Sequence, residues 1–309
     1  MIKRTSIYLK DALHTMLRPS QLLSGRFRSI LLMIISTISF AIMNASIRHV
    51  TQELEPMMVV FFRNLLGLVV LAPFFIRHGP SSLKTERLGL HLIRAGLNLF
   101  AMAAFYIGLS LTPLAEATAL AFTAPLFAVL LAICFLGEKV GLRRWTAIVI
   151  GFAGALVILR PGLESVEIGA MAVLSSAIIW SGTLIVIKVL SRTDSSLTIT
   201  AYMALLLAIL SLPAAIFYWQ TPTFAQFLPL ILIAITGTLG QYTLVEALSG
   251  ADAQVVMPLD FMRLLWTALL GFLLFQEIPD IFVFLGAAMI VASATYVAVR
   301  ERAKTEQKP

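Results

Sequence analysis

The sequence contains a single cysteine, Cys134, and few charged residues. One thiol excludes an intrachain disulfide and any metal cluster that needs several thiolates. Charged residues make up 13% of the chain, well below the roughly 25% of soluble domains, so a soluble globular fold is excluded as well. Because Cys134 lies within an apolar run, we interpret it as a small packing residue.

Motifs that carry catalytic chemistry are also missing. The sequence has no HExxH, GxSxG or phosphate-binding loop, which argues against a hydrolase and an ATP-driven pump. The four histidines fall in predicted tails and loops or near predicted helix ends, where they cannot gather into one site. They are His14, His49, His78 and His91. We therefore expect no enzyme activity, no metal and no cofactor.

Apolar residues dominate what is present. They make up 59% of the chain, and the mean hydropathy is +0.93. A helix of roughly 20 apolar residues crosses a hydrocarbon core of about 30 Å. Runs of this kind predict an all-α integral membrane protein with ten transmembrane helices, at 30–48, 56–76, 88–110, 114–136, 142–160, 168–190, 197–219, 226–248, 253–275 and 279–299.

Residues 1–29 precede the first predicted span and are basic. No small-residue cleavage site follows a short apolar core, so we expect no cleaved signal peptide. Leu9, Leu13, Met16 and Leu17 share one helical face, which fits an amphipathic helix lying in the membrane surface. A loosely ordered basic tail is the equally open alternative.

The distribution of lysine and arginine predicts the orientation. If residue 1 is cytoplasmic, 18 of these cations lie on the cytoplasmic side and two, Arg48 and Arg160, lie outside. Cytoplasmic loops hold such an excess, so both termini are expected in the cytoplasm. The net charge of +7 therefore reports orientation and not nucleic-acid binding. The expected partners are a small-molecule substrate and membrane lipid, with a homodimer left open.

An internal repeat divides the chain into two halves of five spans. A shift of 139 residues aligns 108–138 with 247–277, and eight of the 31 positions match. The matches include Phe122 with Phe261, but the paired glutamates that close each span, Glu138 and Glu277, are more informative than the matches that involve only leucine. A shift of 140 places Ser36 on Ser176, Phe40 on Trp180 and Arg48 on Lys188. The repeats are predicted at 30–160 and 168–299, with a cytoplasmic tail at 300–309.

Five is an odd number of crossings, so the second repeat must cross the membrane in the opposite sense to the first. Two inverted repeats can exchange conformations and open a central site to either side of the membrane, which is typical of secondary transporters. Simple duplication for stability is the alternative. A channel has no need of such an exchange.

Three segments resemble the drug/metabolite transporter superfamily, in its ten-helix branch with two EamA-type repeats. They are FFRNLLG at 61–67, ATALAFTAPLFAVLLAICFLGEKV at 117–140, and PLDFMRLLW at 258–266 with QE at 276–277. The first half is also similar to S-adenosylmethionine uptake permeases. The resemblance implies a location in the bacterial inner membrane and no cofactor. It also implies a cavity between the repeats, lined by helices 1, 3, 4, 6, 8 and 9.

Asp260 and Arg263 are the sharpest candidates for a substrate site. Ionisable groups at membrane depth are costly, so they usually face a cavity or a partner. The two residues are three apart in the ninth span and share a helical face. Arg263 could bind an anionic group of the substrate while Asp260 binds a cationic group or a proton. Mutual neutralisation within the bundle is the alternative.

Other polar and aromatic residues within the spans complete the candidate site. Arg63 lies deep in the second span, where a structural or gating role competes with substrate contact. Arg94 is close enough to the cytoplasmic end to extend to the surface. Aromatic rings could stack on a planar or cationic metabolite, although most aromatics in helices serve packing. The remaining substrate-binding candidates are Asn44, Asn98, Tyr106, Trp180, Gln241, Tyr242 and Trp266.

These observations predict a secondary transporter, or permease, that moves a small organic metabolite by alternating access. Amino-acid derivatives, compounds like S-adenosylmethionine and vitamin-like compounds are the substrates that the resemblance implies. An exporter of metabolites or drugs with the same fold is the main alternative, and a channel is the weaker one.

Overall fold

The structure is a computed structural model, and it describes residues 18–78, 85–136, 142–160, 167–190, 193–194, 196–250 and 259–305. Eleven α-helices of eight residues or more fill these ranges. They are α1 (Arg18–Val50), α2 (Pro56–His78), α3 (Leu88–Leu111), α4 (Leu114–Ala121), α5 (Ala124–Leu136), α6 (Leu142–Leu159), α7 (Ile168–Leu190), α8 (Ser196–Phe217), α9 (Phe224–Gly250), α10 (Met262–Phe275) and α11 (Ile281–Thr305).

The chain is an all-α membrane protein. Six stretches are long and apolar enough to cross a bilayer, and one of them, Leu114–Leu131, runs through both α4 and α5. Four shorter apolar helices complete the set, at Pro56–Ala72, Trp145–Leu159, Met262–Phe275 and Ile281–Tyr296. Large apolar side chains such as Val69, Phe100 and Leu228 are more than 60% exposed, as expected for a surface that contacts lipid.

The helix packing has the two-fold symmetry that a repeat of five spans requires. Helix α1 packs on α9, and its counterpart α7 packs on α3, the counterpart of α9. Likewise α10 packs on α1 as α5 packs on α7. The pairs α2 with α8 and α6 with α11 each join a helix to its own counterpart. Exchanging the two halves therefore leaves this packing unchanged.

Two buried serines show the same symmetry at the level of single hydrogen bonds. The Ser36 hydroxyl donates to the Gly240 carbonyl at 2.8 Å, and the Ser176 hydroxyl donates to the Ala101 carbonyl at 2.7 Å. The shift that aligns Ser36 with Ser176 was visible in the sequence, and Ala101 lies 139 residues before Gly240. The two bonds are therefore equivalent, and each one ties the two halves together.

Close approach of α6 and α11 gives a second matched pair of contacts. A Cβ atom built on Gly154 would lie 2.6 Å from the Gly286 carbonyl oxygen, so neither glycine has room for a side chain. The Ser293 hydroxyl donates to the Ala147 carbonyl. Residues 147 and 154 of the first half correspond to residues 286 and 293 of the second half under the same shift of 139. The contact of Gly154 with Gly286 and the contact of Ser293 with Ala147 are therefore equivalent under the two-fold symmetry.

Two span predictions need correction. Helix α1 begins at Arg18 and not at residue 30, so residues 18–29 extend the first helix. The predicted span 114–136 is interrupted at Phe122 and Thr123, between α4 and α5. Pro125 explains the interruption, because its ring has no N–H and would clash with the carbonyl one turn earlier. Residues 1–17 and 251–258 lie outside the described residues.

Candidate functional site

The seam between the two halves passes through the interruption between α4 and α5. The ring of Phe122, at this interruption, meets the ring of Phe261 edge to face, with centroids 4.9 Å apart and an interplanar angle of 69°. Phe261 immediately precedes α10, and it is the residue that the repeat aligns with Phe122. A residue that touches its own repeat counterpart lies on the pseudo-two-fold axis. The irregular backbone at Phe122 therefore lies at the centre of the symmetry, where broken helices of transporters form their sites.

Asp260 and Arg263 lie beside this contact and pair with each other. Arg263 Nη2 donates to Asp260 Oδ2 at 3.2 Å, and the two side chains are 23% and 20% exposed. The Arg263 guanidinium also faces two rings of the first half, Phe122 at 4.8 Å and Phe40 at 5.5 Å from the ring centroids. Arg263 thus contacts rings of the first half as well as Asp260 of its own half. The local ion pair that the helical spacing allows is present, and the role of the two residues in binding substrate stays a prediction.

Trp266 lies one turn beyond Arg263 and contacts the same neighbouring helix. Its indole Nε1 donates to the Thr37 hydroxyl at 3.2 Å, and Thr37 is fully buried on α1. Phe40, which faces Arg263, follows Thr37 by three residues. Arg263 and Trp266 at the start of α10 therefore face Thr37 and Phe40 in the middle of α1.

A second polar group lies on α1, α2 and α3. Arg63 Nη1 donates to Asn64 Oδ1 at 3.3 Å and lies 3.9 Å from Met102 Sδ. Asn98 Nδ2 donates to the same sulfur at 3.8 Å. Tyr106 follows Met102 by one turn on α3 and is 2% exposed. Asn44 is 3% exposed on α1.

The remaining three candidates do not join these groups. Trp180 and Gln241 are half-buried on α7 and α9. Among the described residues, neither forms a hydrogen bond or ring contact with Asp260, Arg263 or Arg63. Tyr242 is 50% exposed, and it continues the exposed stripe of Leu228, Ile235 and Leu239 along α9. Its position is on the outer face of the bundle.

Arg94 behaves differently from the expectation that it reaches the cytoplasmic surface. It is 5% exposed, and its Nη1 donates to the Ile199 carbonyl on α8 at 2.8 Å. Its Nη2 lies 3.2 Å from Met203 Sδ. A charge-assisted hydrogen bond to the backbone of the other half holds Arg94 in the interior, so its role is to join α3 to α8.

Sequence reasoning missed a buried polar cluster around Asp194, in the connection between α7 and α8. His91 Nε2 lies 2.7 Å from Asp194 Oδ2, and the side chains are 1% and 4% exposed. The Thr85 hydroxyl donates to the same oxygen at 2.6 Å, and Tyr202 stacks on the His91 ring with centroids 4.6 Å apart. The cluster links the start of α3 to the second half.

The hydrogen bond from Thr85 lowers the pKa of Asp194 below its usual value, and the bond to His91 contributes in the same direction against the effect of burial. A carboxyl group with a lowered pKa stabilises the fold above its unfolded pKa of about 3.9. This contribution is lost as the pH falls through the lower pKa of the folded state.

Asp194→Asn is therefore expected to lower the free energy of unfolding at neutral pH by about 1.5–3 kcal/mol, the usual loss for a hydrogen bond to a charged group. The difference from the wild type shrinks as the pH falls from about 4 through the lower pKa of the folded state, below which the wild-type carboxylate is protonated too. Thermal melting in detergent across this pH range measures both effects. Asp280→Asn is the control, because Asp280 pairs with Arg160 at 3.0 Å but is 41% exposed. Equal destabilisation by the two variants would contradict the assignment.

A second cluster lies around Glu277, which the repeat aligns with Glu138. Glu277 accepts a hydrogen bond from the Leu114 backbone N–H at 2.8 Å. It also pairs with Arg48, which donates to the Leu109 carbonyl at 2.8 Å. Glu277 thereby caps α4 while Arg48 caps α3. Glu246 on α9 lies apart from this cluster, 3.7 Å from Arg28 at an exposed position.

A bundle of apolar helices that is duplicated about a central axis, with charged residues on the seam, is the architecture of a membrane transporter. The sequence comparison agrees with it. The chain matches the EamA-like transporter family twice, over residues 27–160 and 167–299. It therefore belongs to this family, within the drug/metabolite transporter superfamily.

Relatives and a solved structure match over most of the chain. An S-adenosylmethionine uptake transporter from Rickettsia bellii is 30% identical over 275 residues, which are 89% of this chain and 94% of the relative. A riboflavin transporter from Rhizobium johnstonii is 30% identical over 306 residues, covering 97% of this chain and all of the relative. A crystal structure of a protein with 20% identity superposes with a TM-score of 0.61 over 92% of this chain and 98% of that one, which supports the fold.

The family and its relatives establish the class of function. The chain is a multi-pass membrane permease for small metabolites, as its transporter family and relatives show.

Proposed function

We propose that this chain is a secondary permease of the bacterial inner membrane that carries an amino-acid derivative, a compound like S-adenosylmethionine or a vitamin-like compound. Both termini lie in the cytoplasm in this proposal, as the 18 cytoplasmic cations predict. The two repeats span residues 30–160 and 168–299, a division supported by the two family matches. Transport proceeds by alternating access, in which the halves rock about the seam.

One observation supports this mechanism above the others. Arg263 of the second half is held between Phe40 and Phe122 of the first half, at the point where Phe122 meets its own repeat counterpart. A charged pair at this position contacts both halves and must change its surroundings when they move. A substrate that binds there is therefore coupled to the movement.

The proposed substrate site has two parts. The first contains Asp260, Arg263 and Trp266 at the start of α10, where the ion pair and the rings can hold a polar or planar group. The second contains Arg63, Asn98, Tyr106 and Asn44 within the first half. Trp180 and Gln241 remain proposed lining residues, since both are half-buried on α7 and α9.

Uptake by purified protein in liposomes tests the proposal. S-adenosylmethionine and riboflavin, the substrates that name the two relatives, are the first probes. We expect uptake of at least one probe to be protein-dependent and to saturate with concentration. Binding of the same probe is expected to raise the melting temperature of the protein in detergent. Flux that rises linearly without saturation would favour a channel and contradict the proposal.

A further inference from the structure

Arg63 is a cation at membrane depth that has no carboxylate partner among the described residues. It lies seven residues after the start of α2, about 10 Å along the helix axis. Its contacts are the neutral Asn64 amide at 3.3 Å and the Met102 sulfur at 3.9 Å. Its Nε is buried with no hydrogen-bond acceptor. A buried charge is stable only with a partner of opposite sign or several hydrogen bonds, so this arrangement calls for an anion.

Three other arginines of the bundle differ from Arg63 because each has a carboxylate partner, although their Nε atoms also lack an acceptor among the described residues. Arg48 pairs with Glu277, and Arg160 and Arg263 each pair with an aspartate. Arg94 donates to a backbone carbonyl. The charge of Arg263 is thus already balanced by Asp260, whereas the charge of Arg63 is not. An anionic group that enters the protein therefore gains more electrostatic stabilisation at Arg63 than at Arg263.

Arg63 lies on the side of α2 that faces the interior of the bundle. Among the α2 residues up to position 72, whose side chains the structure describes, Leu65 and Val69 are the exposed ones, at 39% and 67%. At 3.6 residues per turn they point about 200° and 240° away from Arg63 around the helix. The neighbours of Arg63 on the inward side are Val59 and Val60, both fully buried. Arg63 is half-buried, and it lies on this inward side of α2.

Polar groups next to Arg63 are buried and lack partners of their own. Asn98 Oδ1 and the Tyr106 hydroxyl form no hydrogen bond among the described residues, although these residues are 0% and 2% exposed. Asn44 Oδ1 is unpaired in the same way. Leaving a buried polar atom unpaired costs about 1–3 kcal/mol. Unpaired polar atoms of this kind, close to a cation without an anionic partner, are expected to form hydrogen bonds with a bound ligand.

Gly237 of α9 borders Arg63 from the second half. A Cβ atom at this position would lie 2.9 Å from Met43 Sδ and 3.4 Å from both Nε and Nη2 of Arg63. The absence of a side chain leaves the guanidinium room to turn toward a ligand. The border also means that Arg63, like Arg263, contacts the opposite half.

We propose that Arg63, Asn98 and Tyr106 form a subsite that binds a carboxylate group of the substrate. Arg63 supplies the charge and the Tyr106 hydroxyl supplies a further hydrogen-bond donor, while the unpaired Asn98 Oδ1 is an acceptor that fits an N–H or ammonium group of the same substrate. The subsite includes the second span, which the resemblance to the family does not assign to the cavity. The proposal rests on the permease function above and narrows its substrate class to organic acids and amphoteric amino acids.

Competition between matched compounds in the liposome assay tests the subsite. The mixture contains S-adenosylmethionine and L-methionine, each with its decarboxylated analogue, together with riboflavin, which has no carboxylate. We expect the wild type to prefer the acids by a factor on the order of 100, the usual effect of removing one partner of a buried charge pair. Arg63→Gln is expected to abolish this preference, and Arg63→Lys to retain part of it because the charge remains.

Gly237→Ala provides a second variant that keeps every charge. We expect it to raise the KM for the acids several-fold, because the new methyl group presses on Met43 and Arg63. Gly96→Ala is its matched control, since a Cβ at Gly96 meets nothing within 4 Å. Size-exclusion profiles and melting temperatures establish that each variant is folded.

The possible outcomes separate the subsite from the permease function. A preference for acids that survives Arg63→Gln in folded protein would overturn the subsite, as would wild-type uptake of riboflavin or the decarboxylated compounds without the acids. In these cases the permease function still stands. A wild-type protein that moves none of the compounds would contradict the proposed function itself, and the subsite with it.

Discussion

Arg263→Ala is expected to reduce transport by a factor on the order of 100 or more while leaving folded protein in the membrane. The substitution removes the cation held between Phe40 and Phe122 and leaves Asp260 without its partner at 3.2 Å. The link between the two halves at the seam is lost with it. Initial uptake rates in proteoliposomes, normalised to the amount of folded protein, measure the effect.

A double variant distinguishes a transport role from a purely structural one. Asp260→Asn combined with Arg263→Gln removes both charges and restores neutrality. If the pair only stabilises the bundle, this variant should recover both melting temperature and transport, because an isolated buried charge is the main cost of the single change. We expect recovery of stability without recovery of transport. Normal transport by Arg263→Ala alone would remove Arg263 from the site.

Asp260→Asn is expected to uncouple transport from the pH gradient. Asp260 Oδ2 accepts from Arg263, but Oδ1 is buried without a partner among the described residues and is free to accept a proton or a substrate cation. The asparagine keeps the shape of the side chain and cannot take up a proton. Uphill uptake under an imposed pH gradient should fall about 5–150-fold, which is the factor that corresponds to typical coupling free energies.

Exchange across the membrane without a gradient serves as the control for Asp260→Asn. A variant that still exchanges internal for external substrate retains the site and the movement, so the loss then belongs to coupling alone. If Asp260→Asn keeps full pH-dependent uphill uptake, Asp260 has no role as a proton site.

Most of the fold follows from the sequence because lipid imposes a simple rule on every span. A helix that crosses the membrane must be long and apolar, so positions such as 88–110 could be read directly and correspond to α3 at Leu88–Leu111. The break between α4 and α5 at Phe122 was not predicted, because it does not change the apolar composition of the span. Pro125 was the available signal. The start of α1 at Arg18 was also missed, because a helix can continue beyond the apolar part of its sequence.

The candidate site was predictable only where its residues are neighbours in sequence. Asp260 and Arg263 are three apart, so their pairing followed from helical geometry. His91 and Asp194 are 103 residues apart, and Arg48 and Glu277 lie in different halves, so no spacing rule could join them. Arg94 was assigned to the surface from its distance to the helix end. Only the packing of α3 on α8 shows that Ile199 offers it a carbonyl.

Counterflow is the most direct test of the claim that two inverted halves carry a substrate by alternating access. Proteoliposomes are loaded with unlabelled substrate at high concentration, and a trace of labelled substrate is added outside. We expect the label to accumulate transiently inside to well above its outside concentration. The site that returns to the outside mostly carries unlabelled substrate, so labelled substrate that has entered is seldom carried back. Simple equilibration of the label to its outside concentration, without an overshoot, would contradict alternating access.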